Sequence, residues 1–225
     1  MSLQHKENSQ SLVKTLVVLF ISLVAISFFL NLTSSYFQVK YWKARSNMPK
    51  IRQIPPFSFV RSDGVTITAN DLKGKIWVAD LIYTHCPGPC STETLRMSQL
   101  QSILGKIEGV RLVSISIDPE EDSGAVLRKY AEGYHADPSF WFFVTGKPQE
   151  VQEFVVKGLA LGMGENPKDK VQAEGKFFHS TQFVLIDQDG FIRKYYDGLN
   201  QKTPKDISID ILLLLQESSK TNKGT

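Results

Sequence analysis

The sequence predicts an α/β fold: a mixed β-sheet flanked by helices, led by an N-terminal hairpin and preceded by an apolar helix of membrane-spanning length. Three observations predict it. From residue 54 onward, apolar runs of strand length alternate with amphipathic stretches of helical length, the pattern of a sheet covered on both faces. The last two strand-like runs are separated only by Gln188-Asp189-Gly190, so the sheet closes on an antiparallel hairpin. Residues 16–32 carry no charge, and roughly 17–25 apolar residues suffice to cross the hydrocarbon core as a helix.

The elements follow in order. Residues 1–15 form a polar tail, 16–32 a transmembrane anchor and 33–53 a linker. FSFVRSDGVTIT (57–68) is two alternating runs around Ser62-Asp63-Gly64, a hairpin signal, and NDLKGK (70–75) is a turn. IWVADLIYT (76–84) is a buried strand rich in β-branched and aromatic residues. In 91–107, Leu95, Leu100, Ile103, Leu104 and Ile107 recur at helical spacing before Gly109. VRLVSISID (110–118) is a second buried strand, 122–135 an amphipathic helix, and FWFFVTG (140–146) a third strand. Pro148 opens a helix over 148–162, since its missing N–H has no partner at the first helical position. Polar residues 163–176 read as an exposed loop. HSTQFVLID (179–187) and FIRKYYDG (191–198) are the closing hairpin, with His179 at the start of the fourth central strand. A last helix spans 207–218, and 219–225 fray. The order β-α-β-α-β-α-β-β-α is the thioredoxin arrangement, carried by one domain over 54–218.

Composition narrows the function. The chain has 225 residues, 42% hydrophobic and 22% charged, with a net charge of +3. Its basic residues gather in no block, which argues against a nucleic-acid partner. The apolar run has no Ala-x-Ala pattern behind it and no cysteine beside it, so an uncleaved anchor is expected rather than a cleaved signal or lipid-modified cysteine. Lys40, Lys43, Arg45, Lys50 and Arg52 follow the run and only Lys6 and Lys14 precede it. By that count the folded part would face the cytoplasm, although long domains translocate despite such charges.

The chemistry concentrates in THCPGPC (84–90), which holds the only two cysteines of the chain. The loop sits where a central strand ends and a helix begins, the place where ligand sites gather in α/β sheets. Pro89 suits a helix start, which puts Cys90 in the first turn and predicts a stabilised Cys90 thiolate. Cys86 and Cys90 are compatible with a structural disulfide, a thiol redox pair or a soft-metal site. A disulfide across so short a loop stabilises little. Two sulfurs seldom complete a metal site, and His179 is the candidate third ligand. Two thiolates and an imidazole suit copper, whereas zinc usually takes four ligands. His5 lies in the tail, His85 alternates away from Cys86, and His135 ends a helix. Asp118-Pro119-Glu120-Glu121-Asp122 reads first as an acidic helix start and second as a source of an acid that supports the site or docks a partner.

Together YTHCPGPCSTE (83–93), SISIDPEEDS (114–123) and HSTQFVLIDQDGFIRKYYDG (179–198) resemble the Sco/SenC copper proteins in order and spacing, over roughly Ile54 to Leu215. The resemblance implies a thioredoxin-like fold and one copper ion, Cu(I) or Cu(II), held by Cys86, Cys90 and His179. It implies a single-pass protein of the cell inner membrane whose folded part faces the periplasm or another extracytoplasmic space, against the basic-residue count. It also implies copper delivery to the copper-A site of cytochrome c oxidase subunit II, with a thiol reductant keeping the cysteines reduced. The alternative is a thiol–disulfide oxidoreductase in which Cys86 and Cys90 are a catalytic redox pair reducing a client. Gly88 and Ser91 depart from the family's Asp and Pro; the first removes an acid beside the metal and the second should loosen the helix start.

Overall fold

The computed structural model describes residues 19–36, 40, 45, 47–105, 107–171 and 175–221. The chain divides into two compact units, Met1–Asn47 and Met48–Thr225. In the first, helix α1 (Leu19–Tyr36) is long and apolar enough to cross a membrane, with mean hydropathy 1.7 over its 18 residues. Two of its hydroxyls bond within the helix: Ser22 donates to the Leu19 carbonyl, and Thr33 to those of Phe29 and Leu30. Residues 1–18, which include the polar tail and the first three residues of the expected anchor, lie outside the described residues.

The second unit contains β1 (Arg52–Gln53), β2 (Ser58–Arg61), β3 (Thr66–Thr68), β4 (Ile76–Ile82), α2 (Cys90–Leu104), β5 (Val110–Ser116), α3 (Gly124–Gly133), β6 (Trp141–Thr145) and α4 (Pro148–Glu153). It continues with β7 (Met163–Glu165), β8 (Phe177–His179), β9 (Gln182–Ile186), β10 (Phe191–Asp197) and α5 (Thr203–Thr221). One eight-stranded sheet has the order β1-β10-β9-β4-β5-β6-β2-β3. β4, β5 and β6 are parallel, while β9 joins β4 antiparallel. β2–β3 and β9–β10 are the two expected hairpins, turning at Gly64 (φ 86°) and Gly190 (φ 81°). This is the mixed, helix-flanked sheet that the alternation predicts.

Strand parity sorts the core into two layers. Trp77, Ala79 and Leu81 pack with Phe59, Val113, Ile115, Val184 and Phe154 on one face. Ile76, Val78 and Ile82 pack with Met97, Leu100, Leu112, Trp141, Phe183, Leu185, Ile207 and Ile211 beneath α2 and α5 on the other. β4 is buried at all seven positions, as its near-continuous apolar sequence demands.

Four stretches differ from expectation. The linker region contributes an edge strand: Arg52 pairs with Ile192 and Gln53 with Phe191. α4 widens into a π turn over Phe154–Gly158, closed by Leu159 N–H to the Phe154 carbonyl at 2.9 Å, and Ala160 then adopts φ 55°. The helix therefore stops before 162, although Leu159 and Leu161 remain buried and prolong the apolar pattern. The stretch read as an exposed loop begins with β7, which pairs with β8 in a separate two-stranded ribbon. The last helix starts four residues early at Thr203, whose hydroxyl donates to the Asp197 carbonyl at 2.6 Å, and continues to Thr221; residues 222–225 lie outside the described residues.

Candidate metal centre

β4 ends at Ile82, and the chain turns at once: Cys86 N–H donates to the Tyr83 carbonyl at 3.2 Å. Pro89 is already helical (φ −72°, ψ −21°), and its carbonyl accepts from Thr92 and Glu93 at 2.9 and 3.0 Å. Cys90 is thus the first residue of α2, and the helix start is intact with Ser91 following it. The loop is pinned from the side by Asp122. This buried carboxylate accepts from the Thr84 amide at 3.1 Å, the Thr84 hydroxyl at 2.5 Å and the Ser116 hydroxyl at 2.6 Å. The acidic stretch after β5 therefore does more than start a helix. Ser123 takes the capping role, accepting from Val126 N–H.

His179 arrives from the ribbon and not from the main sheet. It ends β8, paired with Met163, and Ser180 N–H donates to the Gly162 carbonyl at 2.8 Å. The ribbon is held against the cysteine loop by Tyr83, whose hydroxyl donates to the Phe177 carbonyl at 3.3 Å and whose ring meets His179 edge-on at 6.0 Å. Gly175 makes that approach possible. It has φ +86°, and a Cβ there would overlap the Tyr83 hydroxyl and stand 2.8 Å from Pro87 Cδ. Lys176 adds ion pairs to Asp118 at 3.3 Å and Glu120 at 3.4 Å.

The result is a cluster of three donor atoms. One donor atom each of Cys86, Cys90 and His179 lie within 4.8 Å of one another, and His179 Nε2 is 3.1 Å from Cys90 Sγ. Both cysteines are free thiols. Metal–sulfur bonds of about 2.3 Å and metal–nitrogen bonds of about 2.0–2.1 Å allow donors at most ~4.6 Å apart around one ion, so a small contraction would suffice. His179 Nδ1 lies 3.0 Å from the Ser180 carbonyl. A carbonyl only accepts, so Nδ1 carries the proton and Nε2 offers its lone pair to the sulfurs, the orientation a ligating histidine needs.

The electrostatics divide the two thiols. Beside Cys86 stand the Cys90 thiol, the His179 ring and the Cys90 and Gly88 amides; together these outweigh burial and pull Cys86 well below the ordinary thiol range. The Cys86 thiolate and burial push Cys90 up. The sequence-based expectation was a stabilised Cys90 thiolate at the helix start; the structure favours Cys86, because its neighbours and the loop amides converge there while Cys90 is buried. For His179, burial works against the imidazolium, but Cys86 and Glu93 prevail and the net shift is upward.

His5 lies outside the described residues, and the other two histidines stand apart. His85 is exposed, with Nδ1 3.2 Å from the Thr84 hydroxyl, and exposed His135 follows α3 with φ 54°. Among the described residues the Cys86–Cys90–His179 group is the one cluster of this kind. Sequence reasoning passed over Tyr83 and Gly175 and took the stretch holding Asp122 first for a helix start, because these contacts join segments 38 to 94 residues apart. It also passed over Asp80 and Glu93, two acids buried in the α2 layer, although a lone acid within IWVADLIYT is a legible signal.

Residues 46–214 match the SCO1/SenC family model. The SCO1 protein homolog of Bacillus subtilis is 35% identical over 162 residues, covering 71% of this chain and 81% of that protein. The fold is similar to that of BsSco, a member of the Sco family of cytochrome c oxidase assembly proteins with a disulfide switch. The TM-score is 0.61 with 33% identity, over 71% of this chain and 91% of that one. It is also similar to copper-bound ScoI of Bradyrhizobium japonicum, with TM-score 0.62 and 25% identity over 72% of this chain and 99% of that one. The match to the family model spans the ribbon, the cysteine loop and the sheet between them, and this chain belongs to the SCO1/SenC family.

Proposed function

We propose that this chain is a membrane-anchored copper chaperone in which Cys86, Cys90 and His179 hold one copper ion and pass it by ligand exchange to the copper-A site of cytochrome c oxidase subunit II. The single observation that carries the reading is the meeting of three donors from two distant segments within 4.8 Å. Two sulfurs and an imidazole suit copper in either valence, since thiolate selects Cu(I) and mixed imidazole–thiolate sets serve Cu(II). Copper-bound ScoI supports the choice of metal, and the naming of BsSco as an assembly protein supports the receiving complex. α1 would serve as the anchor, with the folded unit, Met48–Thr225, on the extracytoplasmic side. There a thiol reductant is required, because only reduced cysteines ligate. Copper titration of the reduced chain tests the reading. Stoichiometric binding with a thiolate-to-Cu(II) charge-transfer band, lost in His179→Ala and in cysteine variants, supports it; no stoichiometric binding overturns it.

A second reading rests on the unequal thiols. Partly exposed Cys86 is poised as a thiolate, and buried Cys90 keeps its proton beside it. Cys86 would attack a client disulfide, and Cys90, losing its proton, would displace the client from the mixed disulfide. The client then leaves with two thiols, one proton coming from Cys90 and one from solvent, and Cys86–Cys90 is oxidised. Client reduction that survives His179→Ala would favour this reading.

A further inference from the structure

Two acids lie beneath the cluster without the partners that buried acids need. Asp80 on β4 and Glu93 in the first turn of α2 are both fully buried, at 0% exposure. By strand parity Asp80 shares the face of Val78 and Ile82, and Glu93 precedes Met97 by one turn, so both enter the layer between α2 and the sheet. The Ser114 hydroxyl donates to Asp80 Oδ1 at 2.6 Å and receives Trp141 Nε1–H at 2.9 Å. Asp80 Oδ2 and both oxygens of Glu93 have no hydrogen-bond partner among the described residues. Neither acid is hydrogen-bonded to Cys86, Cys90 or His179.

An ionised carboxylate so placed loses hydration and gains nothing in return, so the neutral form is preferred. Burial pushes Asp80 up to about 7 and Glu93 up to about 8. The groups that bear on Glu93 are His179, which favours ionisation, and Asp80, Cys86 and Asp197, which oppose it. On Asp80, Ser114 and His179 favour ionisation. From α3, Tyr130 joins Thr94 at 2.9 Å, next to Glu93 on α2, and from α5 the buried Asp210 is already held by Lys194 and Tyr196.

We propose that Asp80 and Glu93 form a buried proton site that ties the valence of copper bound at Cys86, Cys90 and His179 to pH. The inference rests on the copper reading. Two thiolates and a neutral imidazole carry a net charge of zero around Cu(II) and minus one around Cu(I). When an external one-electron donor reduces the site, the added negative charge strengthens the hold of the two acids on a proton. The pair then takes up a proton from solvent: an O–H bond forms on a carboxylate, and one electron and one proton enter together. Reoxidation returns both.

The test uses the full chain in detergent micelles, loaded with copper and poised electrochemically. The Cu(II)/Cu(I) potential should fall as pH rises through 7 and 8, approaching one proton per electron, a tenfold change per pH unit or about 59 mV. The Asp80→Asn, Glu93→Gln double variant should flatten that slope. A double variant that keeps the wild-type slope, or a wild type without one, overturns the proposal. Should the variant fail to fold, the reduced-minus-oxidised infrared difference spectrum of the wild type decides. A growing protonated-carboxyl C=O band supports the pair, and its absence overturns it. A chain that binds no copper would take down the copper reading too, whereas a loaded chain with a pH-independent potential takes down this inference alone. In the copper-free chain, acids raised in the folded state bind protons that the unfolded chain has lost. Stability should therefore decline as pH climbs from about 4 toward 8, and the amide variant should show a shallower decline; an unchanged decline also overturns the pair.

Discussion

His179 Nε2 stands 3.1 Å from Cys90 Sγ, although 89 residues separate them in the chain. One residue opens a helix and the other closes a two-stranded ribbon, so the contact exists only in the folded protein. Replacing His179 with Ala leaves the fold's core untouched and removes a donor atom. Cu(II) affinity should drop by more than the roughly 10–100-fold expected for loss of a supporting partner alone, and Cu(I), with both thiolates, should lose less. Competition titration with a copper chelator in each valence measures both.

Cys86 should react as a thiolate well below the pH at which an ordinary thiol ionises, since the Cys90 thiol, His179 and the Gly88 amide all stabilise its charge. Its alkylation rate should be on a plateau at neutral pH and decline only in acid. Cys90→Ser and His179→Ala should each move the midpoint upward. Gly88→Asp should do the same without unfolding, because a Cβ at 88 meets nothing nearer than Cys86 Sγ at 4.0 Å. Iodoacetamide kinetics across pH read all four chains.

Gly175→Ala should be costly. A left-handed backbone costs a non-glycine residue about 1–2 kcal/mol, and the added methyl overlaps the Tyr83 hydroxyl. The expected result is a loss of that order in denaturant unfolding of the reduced chain, with weakened copper binding as the ribbon is displaced. An unchanged unfolding midpoint would show that the turn can be made another way.

Asp122→Ala should strand the Thr84 amide and the Thr84 and Ser116 hydroxyls that now donate to it. Leaving such groups unsatisfied costs about 1–3 kcal/mol each when buried. The thermal midpoint should fall, and the Cys86 alkylation profile should broaden toward that of a free thiol. A fall in stability with an unaltered alkylation profile would limit Asp122 to a scaffolding role.

Much of this was legible in the chain. The buried strands announce themselves as apolar runs, and Gly64 and Gly190 mark the hairpins that the sheet contains. The cysteine loop and His179 were legible as residue types in suggestive places. The ribbon was not: β7 and β8 are three residues each, too short for a periodic signal, and their pairing is fixed by distant contacts at Tyr83 and Lys176. The end of α4 was hidden because Leu159 and Leu161 stay buried after the helix has stopped. The choice between the two thiols was hidden for a related reason. Proximity to a helix start is visible in sequence, but the amides and ring that converge on Cys86 are not.

β8 is hydrogen-bonded to β7 and takes no place in the eight-stranded sheet. Withdrawing the imidazole would therefore leave the hydrogen bonds of that sheet intact and disturb only the edge of one core layer, where Met163 and Phe177 pack. A receiving protein that offered its own donor could occupy the vacated position first and detach the sulfurs afterwards. Under the proposed copper reading, transfer by that route would proceed one substitution at a time, with the ion held by a donor throughout.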